Sequence, residues 1–256
     1  MQADAATAED WRDAAADAPL LDADRSLFAW EWLRRDSTYR AAAAAALGSG
    51  REGQTPRPDD FGLIAFEPPR LAVPNARPMW RADVHPYVLA ADACSSTARS
   101  DAFDLETLRQ LATILEDEHG EHLLLSDGLQ TVRLDVRRGS LASGPVCLRY
   151  RLWGFASAEP SLLTLRRFLA LCGSGRFARS LHVRDARGRR WVLMLRAADA
   201  LACGADQREI ARVLLSRSVA EPAWRTRDPS IRSQVQRLVR SARQMAGGGY
   251  RRLLGG

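Results

Sequence analysis

A sharp corner between two amphipathic helical segments is the sequence feature that most restricts how this chain can fold. Apolar side chains recur at helical spacing through residues 190–202, and Gly204 follows them. Glycine ends helices because it adopts positive φ at little steric cost. Asp206 can then cap a second helix, with Glu209 three residues later, as in a capping box whose first member is aspartate. The pattern predicts a helix-turn-helix corner within residues 190–215.

A third helix is predicted to begin at Asp228 and Pro229, since aspartate is a good N-cap and proline is tolerated at the first helical position. One face of residues 229–245 is apolar and carries Ile231, Val235, Leu238, Val239 and Ala242. The opposite face carries Ser233, Gln236, Arg237, Arg240 and Gln244, flanked by Ser230, Arg232 and Arg243. The segment contains no acidic residue, so its arginines repel one another unless they meet an anion.

The positive charge of the chain lies at this C-terminal end. All 37 basic residues are arginine, and the net charge is +6. Residues 204–256 hold 11 arginines against 4 acidic residues, whereas residues 1–40 hold 5 arginines against 9. High arginine and alanine usage without lysine is typical of a GC-rich coding sequence, so the placement of arginine says more than its abundance. The asymmetry indicates a C-terminal end that binds a polyanion.

Double-stranded DNA is the polyanion that this helix chemistry favours, because arginine reads guanine or holds phosphate and glutamine reads adenine. We therefore expect residues 229–245 to be the recognition helix of a sequence-specific DNA-binding regulator. The predicted DNA-contacting residues are Gln207, Arg208, Arg212, Arg225, Arg227, Ser230, Arg232, Ser233, Gln236, Arg237, Arg240 and Arg243. The alternative is an ordinary solvated helix face in an arginine-rich chain. The dozen residues between Leu215 and Asp228 also exceed the short turn of most helix-turn-helix proteins.

The predicted fold class is α+β, in three parts. Residues 1–47 are predicted to form a small helical N-terminal unit. Residues 48–104 are predicted to be a linker rich in proline and glycine, with short extended segments. Residues 105–256 are predicted to hold a central sheet and the three-helix, helix-turn-helix domain.

The central sheet is predicted from the alternation of apolar and polar residues, which repeats every two positions. Apolar residues alternate in 131–136 and 146–152, and the apolar residues 122–125 lead into a hairpin-type turn at 126–128, so we expect a three-stranded antiparallel meander. A small sheet needs cover on its apolar face, and the apolar helix predicted at 160–172 would supply it. Residues 106–115 are expected to form a short helix.

Several classes of function are disfavoured by what the sequence lacks. The N-terminus is acidic without an apolar export segment, and no apolar run approaches the roughly 20 residues of a membrane span, so we expect a cytoplasmic protein with no membrane partner. The four cysteines stand far apart, and His119 and His122 match no common metal site. No phosphate-binding loop or nucleophile motif is present. We therefore expect no catalytic residue, no cofactor and no metal, and a protein that is not an enzyme.

Several stretches of the sequence together resemble a proteobacterial family of transcriptional regulators. They are RRWVLMLRAADALACGADQREIARVLL, IRSQVQRLVRSARQMAGGGYRRLL, HLLLSDGLQTVRLDV and VCLRYRL. The C-terminal domain of that family is a helix-turn-helix variant long catalogued as of unknown function. The N-terminal FAWEWLRRDSTYR also resembles the small regulator-like domain that often precedes it.

This resemblance implies a transcriptional activator of excision or transfer genes of integrative and conjugative elements. Short members of the family that have only the C-terminal domain resemble antiactivators, so an antiactivator that binds a related activator through the same three-helix domain stays the alternative. The implied partners are double-stranded DNA together with RNA polymerase or a small antiactivator protein. A lone helix-turn-helix unit covers few base pairs, so a homodimer or a second DNA contact is also expected.

Overall fold

The structure is a computed structural model, and it describes residues 11–48, 56–95, 99–215 and 229–255. The α-helices are α1 (Arg25–Leu33), α2 (Ser37–Gly48), α3 (Ala158–Ser174), α4 (Gly188–Ala202), α5 (Gln207–Ile210) and α6 (Pro229–Ala246). The strands are β1 (Val88–Ser95), β2 (Ala102–Phe103), β3 (Ala112–Asp117), β4 (Gly120–Ser126), β5 (Thr131–Val136) and β6 (Val146–Arg151). Short 3₁₀ helices lie at Ala18–Asp22, Pro58–Phe61, Arg99–Asp101, Leu105–Leu111, Leu141–Ser143 and Gly249–Leu253. In these ranges no helix combines the length and the apolar character needed to cross a membrane.

The strands within the described ranges form one mixed, six-stranded sheet in the order β2-β6-β1-β5-β4-β3. β4 and β5 form an antiparallel hairpin in which Ser126 pairs with Thr131. β1 lies parallel to β5, with Leu89 opposite Leu134, and β6 pairs antiparallel with β1. The prediction of a three-stranded antiparallel meander is therefore wrong. β1 separates β5 from β6, and β3 extends the sheet beyond β4.

The additional strands lie in segments whose sequence does not predict them. Along β1 the consecutive residues 88–91 are all buried, so this central strand shows no alternation between apolar and polar positions. The helix expected at 106–115 is present only as a 3₁₀ helix that ends at Leu111, and its predicted C-terminal part is wrong because β3 begins at Ala112. The sheet is covered on both faces: Arg133 and Asp135, which alternate with the apolar residues of β5, are each only 2% exposed.

One face of the sheet packs against α3. Phe168 and Leu171 of α3 belong to the same apolar cluster as Leu89 and Leu134 of the sheet. The ring of Phe168 also lies 5.1 Å from that of Phe103, measured between centroids. α3 therefore connects the sheet to the C-terminal helices that follow it along the chain.

A second and larger core joins the two ends of the chain. α1 lies in this core with eight of its nine residues buried. Phe28 of α1 packs edge-on against Trp191 of α4, with ring centroids 5.1 Å apart. Trp30 donates a hydrogen bond from Nε1 to the Leu71 carbonyl at 2.9 Å. Because α2, α4 and α6 contribute to the same cluster, the N-terminal and C-terminal helices stabilise each other.

A buried carboxylate on α1 organises this core. Glu31 is 2% exposed and accepts hydrogen bonds from Arg34 at 2.6 Å and from Arg35 at 2.5 Å. The Val73 amide donates to its other oxygen at 2.8 Å. Burial raises the pKa of Glu31, but the two guanidinium groups outweigh this effect and hold the pKa below its usual value. Arg35 also forms a two-point ion pair with Asp199 of α4, at 2.8 and 3.0 Å, so the network links α1 to α4.

A buried histidine connects the sheet region to the C-terminal tail. The Nδ1 atom of His85 lies 3.1 Å from the Leu254 carbonyl oxygen, to which a neutral imidazole can donate. Burial lowers the pKa of His85 from 6.5 to about 4. The unfolded chain therefore binds this proton more readily than the folded chain. The contribution of His85 to stability is complete above pH 6.5 and is lost as the pH falls toward 4.

Replacement of Glu31 by glutamine is expected to lower the free energy of unfolding by about 3 kcal/mol, because two mostly buried guanidinium groups lose the carboxylate that they share. Chemical denaturation measures this change. The matched control is Glu116→Gln on β3, where the carboxylate is exposed and the free energy should stay nearly unchanged. Equal effects of the two substitutions would contradict a central role for the Glu31 network.

Replacement of His85 by glutamine is expected to reduce the loss of unfolding free energy that occurs as the pH falls. Between pH 7 and pH 4.5 the wild-type chain should lose about 2 kcal/mol more unfolding free energy than the variant, since only the wild type has this buried imidazole to protonate. Urea denaturation at the two pH values gives both differences. Parallel pH profiles would show that His85 is not held neutral in the folded state.

Candidate nucleic-acid interface

The corner between α4 and α5 has the predicted backbone. Gly204 adopts a positive φ of 79°, and its amide donates to the Leu201 carbonyl at 3.0 Å. The carboxylate of Asp206 accepts a hydrogen bond from the Glu209 amide at 2.8 Å and so caps α5. The glycine turn and the aspartate cap are confirmed. The Glu209 side chain pairs with Arg12 at 2.5 Å, and it thereby ties the corner to the N-terminal unit.

The second helix of the corner is short. α5 covers only Gln207–Ile210, and a π-helical turn at Ala211–Leu215 follows it directly. Ile210 and Ala211 are fully buried, which places the apolar side of this segment in the core. Of the DNA-contacting residues predicted here, Arg212 is exposed, whereas Gln207 and Arg208 are half-buried.

The inner face of α6 holds this helix against the corner. Val235, Val239 and Ala242 are at most 3% exposed and Leu238 is 8% exposed, so the predicted apolar face is confirmed. α6 packs mainly on α4 and also contacts the π-helical turn. At 1.5 Å per residue, its 18 residues extend for about 27 Å. The helix is therefore long and firmly seated.

The outer face of α6 is polar, basic and exposed. Its exposed side chains are those of Arg232, Ser233, Gln234, Gln236, Arg237, Arg240, Arg243 and Gln244. Six of the predicted DNA-contacting residues are in this set, so the structure brings them together on one helix. Arg225, Arg227 and the side chain of Ser230 lie outside the described residues, and their roles stay predictions.

The arginines of this outer face lack countercharges. Residues 229–246 contain no aspartate or glutamate. In the part of the chain that the structure describes, Arg232, Arg237, Arg240 and Arg243 also form no ion pair with other elements. Arginines elsewhere do form them, for example Arg35 with Asp199. Unneutralised guanidinium groups along one face create a positive potential that attracts a polyanion.

The basic surface continues past the end of α6, which sequence reasoning missed. The chain turns at Gly248, where φ is 97°, and the following 3₁₀ helix exposes Arg251 and Arg252. A depression of about 290 Å³ is lined by Gln244 of α6 together with Arg252 and Arg187. The adjacent arginines after a glycine run were visible in the sequence. Their position beside α6 depends on the direction of this turn.

Comparison with protein-family models identifies two regions of the chain. Residues 158–255 match the model described as "T6SS, Transcription factor, DNA binding domain". Residues 10–62 match the model described as "Proteobacterial transcriptional regulator-like domain". No curated protein matches the chain. The first match begins at α3 and includes α4, α5 and α6, and together the two matches support a DNA-binding transcriptional regulator.

Replacement of Gly204 by alanine is expected to destabilise the fold by about 1 kcal/mol, because a side chain is strained at this positive φ. Gly173 provides a matched control within α3, where a Cβ atom would meet nothing within 4 Å. Alanine at Gly173 should stabilise the fold by about 0.5 kcal/mol through its better helix propensity. Chemical denaturation of both variants measures the change in the free energy of unfolding. Changes of the same sign in the two variants would contradict a strained position at Gly204.

Proposed function

We propose that this regulator reads double-stranded DNA in the major groove with the outer face of α6. One observation carries the proposal: arginine and glutamine side chains share an exposed helix face that has no carboxylate. The inner face of the same helix is buried against α4, so the outer face is presented on a rigid support. The matched DNA-binding domain, which includes α6, supports DNA as the partner.

The residue types on α6 divide into two proposed roles. Gln236, Arg237 and Arg240 are central to the outer face, where glutamine can pair with adenine and arginine with guanine. Ser233 lies one turn nearer the N-terminus of the helix, the end that usually approaches the bases. Arg232 and Arg243 flank this group and suit contacts with the phosphate backbone, which position a protein without reading sequence.

The remaining predicted residues are assigned to the DNA backbone. Arg212 is exposed on the π-helical turn and has the charge that a phosphate contact requires. We place Gln207 and Arg208 beside it at the start of α5. Arg225 and Arg227 are proposed to contact phosphates just ahead of α6, and Ser230 is proposed to contact DNA from the first turn of α6.

We further propose that the protein is an activator, and two sets of target genes are to be tested. The family resemblance favours excision or transfer genes of an integrative and conjugative element. The description of the matched DNA-binding model names the type VI secretion system, so its genes form the second set.

An activator would also contact RNA polymerase and could be opposed by a small antiactivator. As a homodimer it would place two α6 helices on half-sites about 34 Å apart.

Fluorescence anisotropy with labelled promoter fragments from both gene sets tests DNA reading by α6. The wild-type chain should bind one set more tightly than an unrelated duplex. The double variant Arg237→Ala/Arg240→Ala should lose this preference, while the slope of log affinity against log salt should decrease by less than the roughly 1.8 expected for two lost phosphate contacts, because both arginines are proposed to read bases. The matched control, Arg109→Ala/Arg149→Ala, removes the same charge from exposed sites outside the interface.

The control variant should retain both the sequence preference and the salt slope of the wild type. If both double variants lost the same amount of DNA affinity and sequence preference, the effect would come from net charge alone. That result would contradict sequence reading by α6. Absence of DNA binding, with capture of a purified related activator instead, would favour the antiactivator alternative.

A further inference from the structure

A cavity of about 730 Å³ lies where the N-terminal unit, the sheet and the C-terminal helices meet. Residues 22–26, which lead into and begin α1, form one wall, and β5 and α3 form others. The segment 180–187, which leads directly into α4, and Leu253, after α6, complete the boundary. This volume is in the range of small-molecule binding sites. We refer to it as the effector cavity.

The acidic side chains of the effector cavity already have partners. Asp24 accepts a hydrogen bond from the Thr131 amide at 2.7 Å and lies 3.4 Å from Nδ1 of His182. Burial raises the pKa of Asp24, but His182 and nearby arginine outweigh this effect, so the pKa lies below its usual value. The other acidic residues of the wall form ion pairs, Asp22 with Arg184 and Asp185 with Arg25.

Two arginines of α3 add positive charge to the same cavity. Leu163, Arg166 and Arg167 line it from one stripe of the helix. Arg167 donates from Nε to the Leu181 carbonyl at 3.0 Å, and this bond fixes the position of its guanidinium group in the wall. Arg166 is exposed and, within the described ranges, forms no ion pair. The cavity therefore has an excess of positive charge that an anion can neutralise.

Two buried polar atoms in the cavity residues lack hydrogen-bond partners among the described residues. They are Oε1 of Gln130 and Nε of Arg133. The terminal nitrogens of Arg133 are bonded, for example to the Trp80 carbonyl at 3.2 Å, so the side chain is held in place. Unsatisfied buried polar atoms are uncommon in folded proteins. Nε of Arg133 is a donor that a bound anion or water can satisfy, whereas Oε1 of Gln130 only accepts and needs a donor such as a hydroxyl group or water.

We propose that the effector cavity binds a small organic anion whose carboxylate or phosphate group meets Arg166 and Arg167, and that the bound anion changes the affinity of α6 for DNA. A ligand there would touch the chain immediately before α4 and the 3₁₀ helix after α6, so it would contact both ends of the DNA-binding helices. Binding of the anion is independent of the function proposed above. Its effect on DNA affinity rests on that function.

Isothermal titration of the full chain without DNA tests the binding step, with citrate and inorganic phosphate as separate probes. At least one probe should show saturable binding to the wild type. Arg166→Gln should weaken that binding at least about tenfold, and Arg166→Glu should abolish it. Arg149→Gln, at an exposed site on β6 away from the cavity, is the matched control and should bind as the wild type does.

Unchanged melting temperatures without anion would show that the Arg166 variants are folded. The proposed anion site in the effector cavity would be overturned if neither probe bound the wild type. It would also be overturned if Arg166→Gln bound a probe as tightly as the wild type does. The Arg237→Ala/Arg240→Ala variant should keep full anion binding, and loss of it there would move the anion site to the outer face of α6.

DNA titrations at constant ionic strength, with and without the probe that binds, test the regulatory step. The anion should change the DNA affinity of the wild type at least about fivefold and leave that of Arg166→Gln unchanged. Anion binding with no change in DNA affinity would overturn the regulatory step while leaving the binding site in place. Absence of DNA binding under all conditions would instead count against the function proposed for α6.

Discussion

The burial of α1 on nearly every side is the constraint on which the rest of the structure depends. A helix of nine residues is too short to be stable alone in water, so its stability must come from the elements packed around it. Trp30 and Phe28 need apolar neighbours, and Glu31 needs positive charge in a place from which water is excluded. Burial of such a carboxylate is tolerated only when its partners are well placed, and Arg34 and Arg35 meet that requirement from positions just after the same helix.

This constraint makes the DNA-binding helices part of the same core as the N-terminal unit. Arg35 pairs with Asp199 of α4, and Arg196 of α4 donates to the Trp11 carbonyl at 2.9 Å. α6 is then seated on α4, so the orientation of its basic face depends on contacts that begin at the other end of the chain. The effector cavity lies at this junction. A ligand bound there would act on the supports of the DNA-binding helices and leave their exposed residues free.

Sequence reasoning succeeded where the determining contacts are close along the chain and failed where they are distant. The turn at Gly204, the cap at Asp206 and the apolar face of α6 each depend on residues within a turn or two of helix. The parallel pairing of β1 with β5 joins segments more than 40 residues apart, and the burial of β1 on both faces removes the alternation that marks a strand. Arg133 is a second case that the sequence does not predict. Its charge predicts a solvent-exposed side chain, but the side chain is buried beside Asp135.

The sequence by itself determined the corner, the apolar face of α6 and the absence of acidic residues on that helix, because helical period, capping and composition are local properties. It also indicated that the C-terminal end is the positive end of the molecule. Only the tertiary structure decided the order of the six described strands, the enclosure of α1 and the placement of Arg166 and Arg167 at a shared cavity. These features arise from contacts between distant segments, where the burial of apolar surface and the pairing of buried charges select one arrangement among many that the local pattern permits.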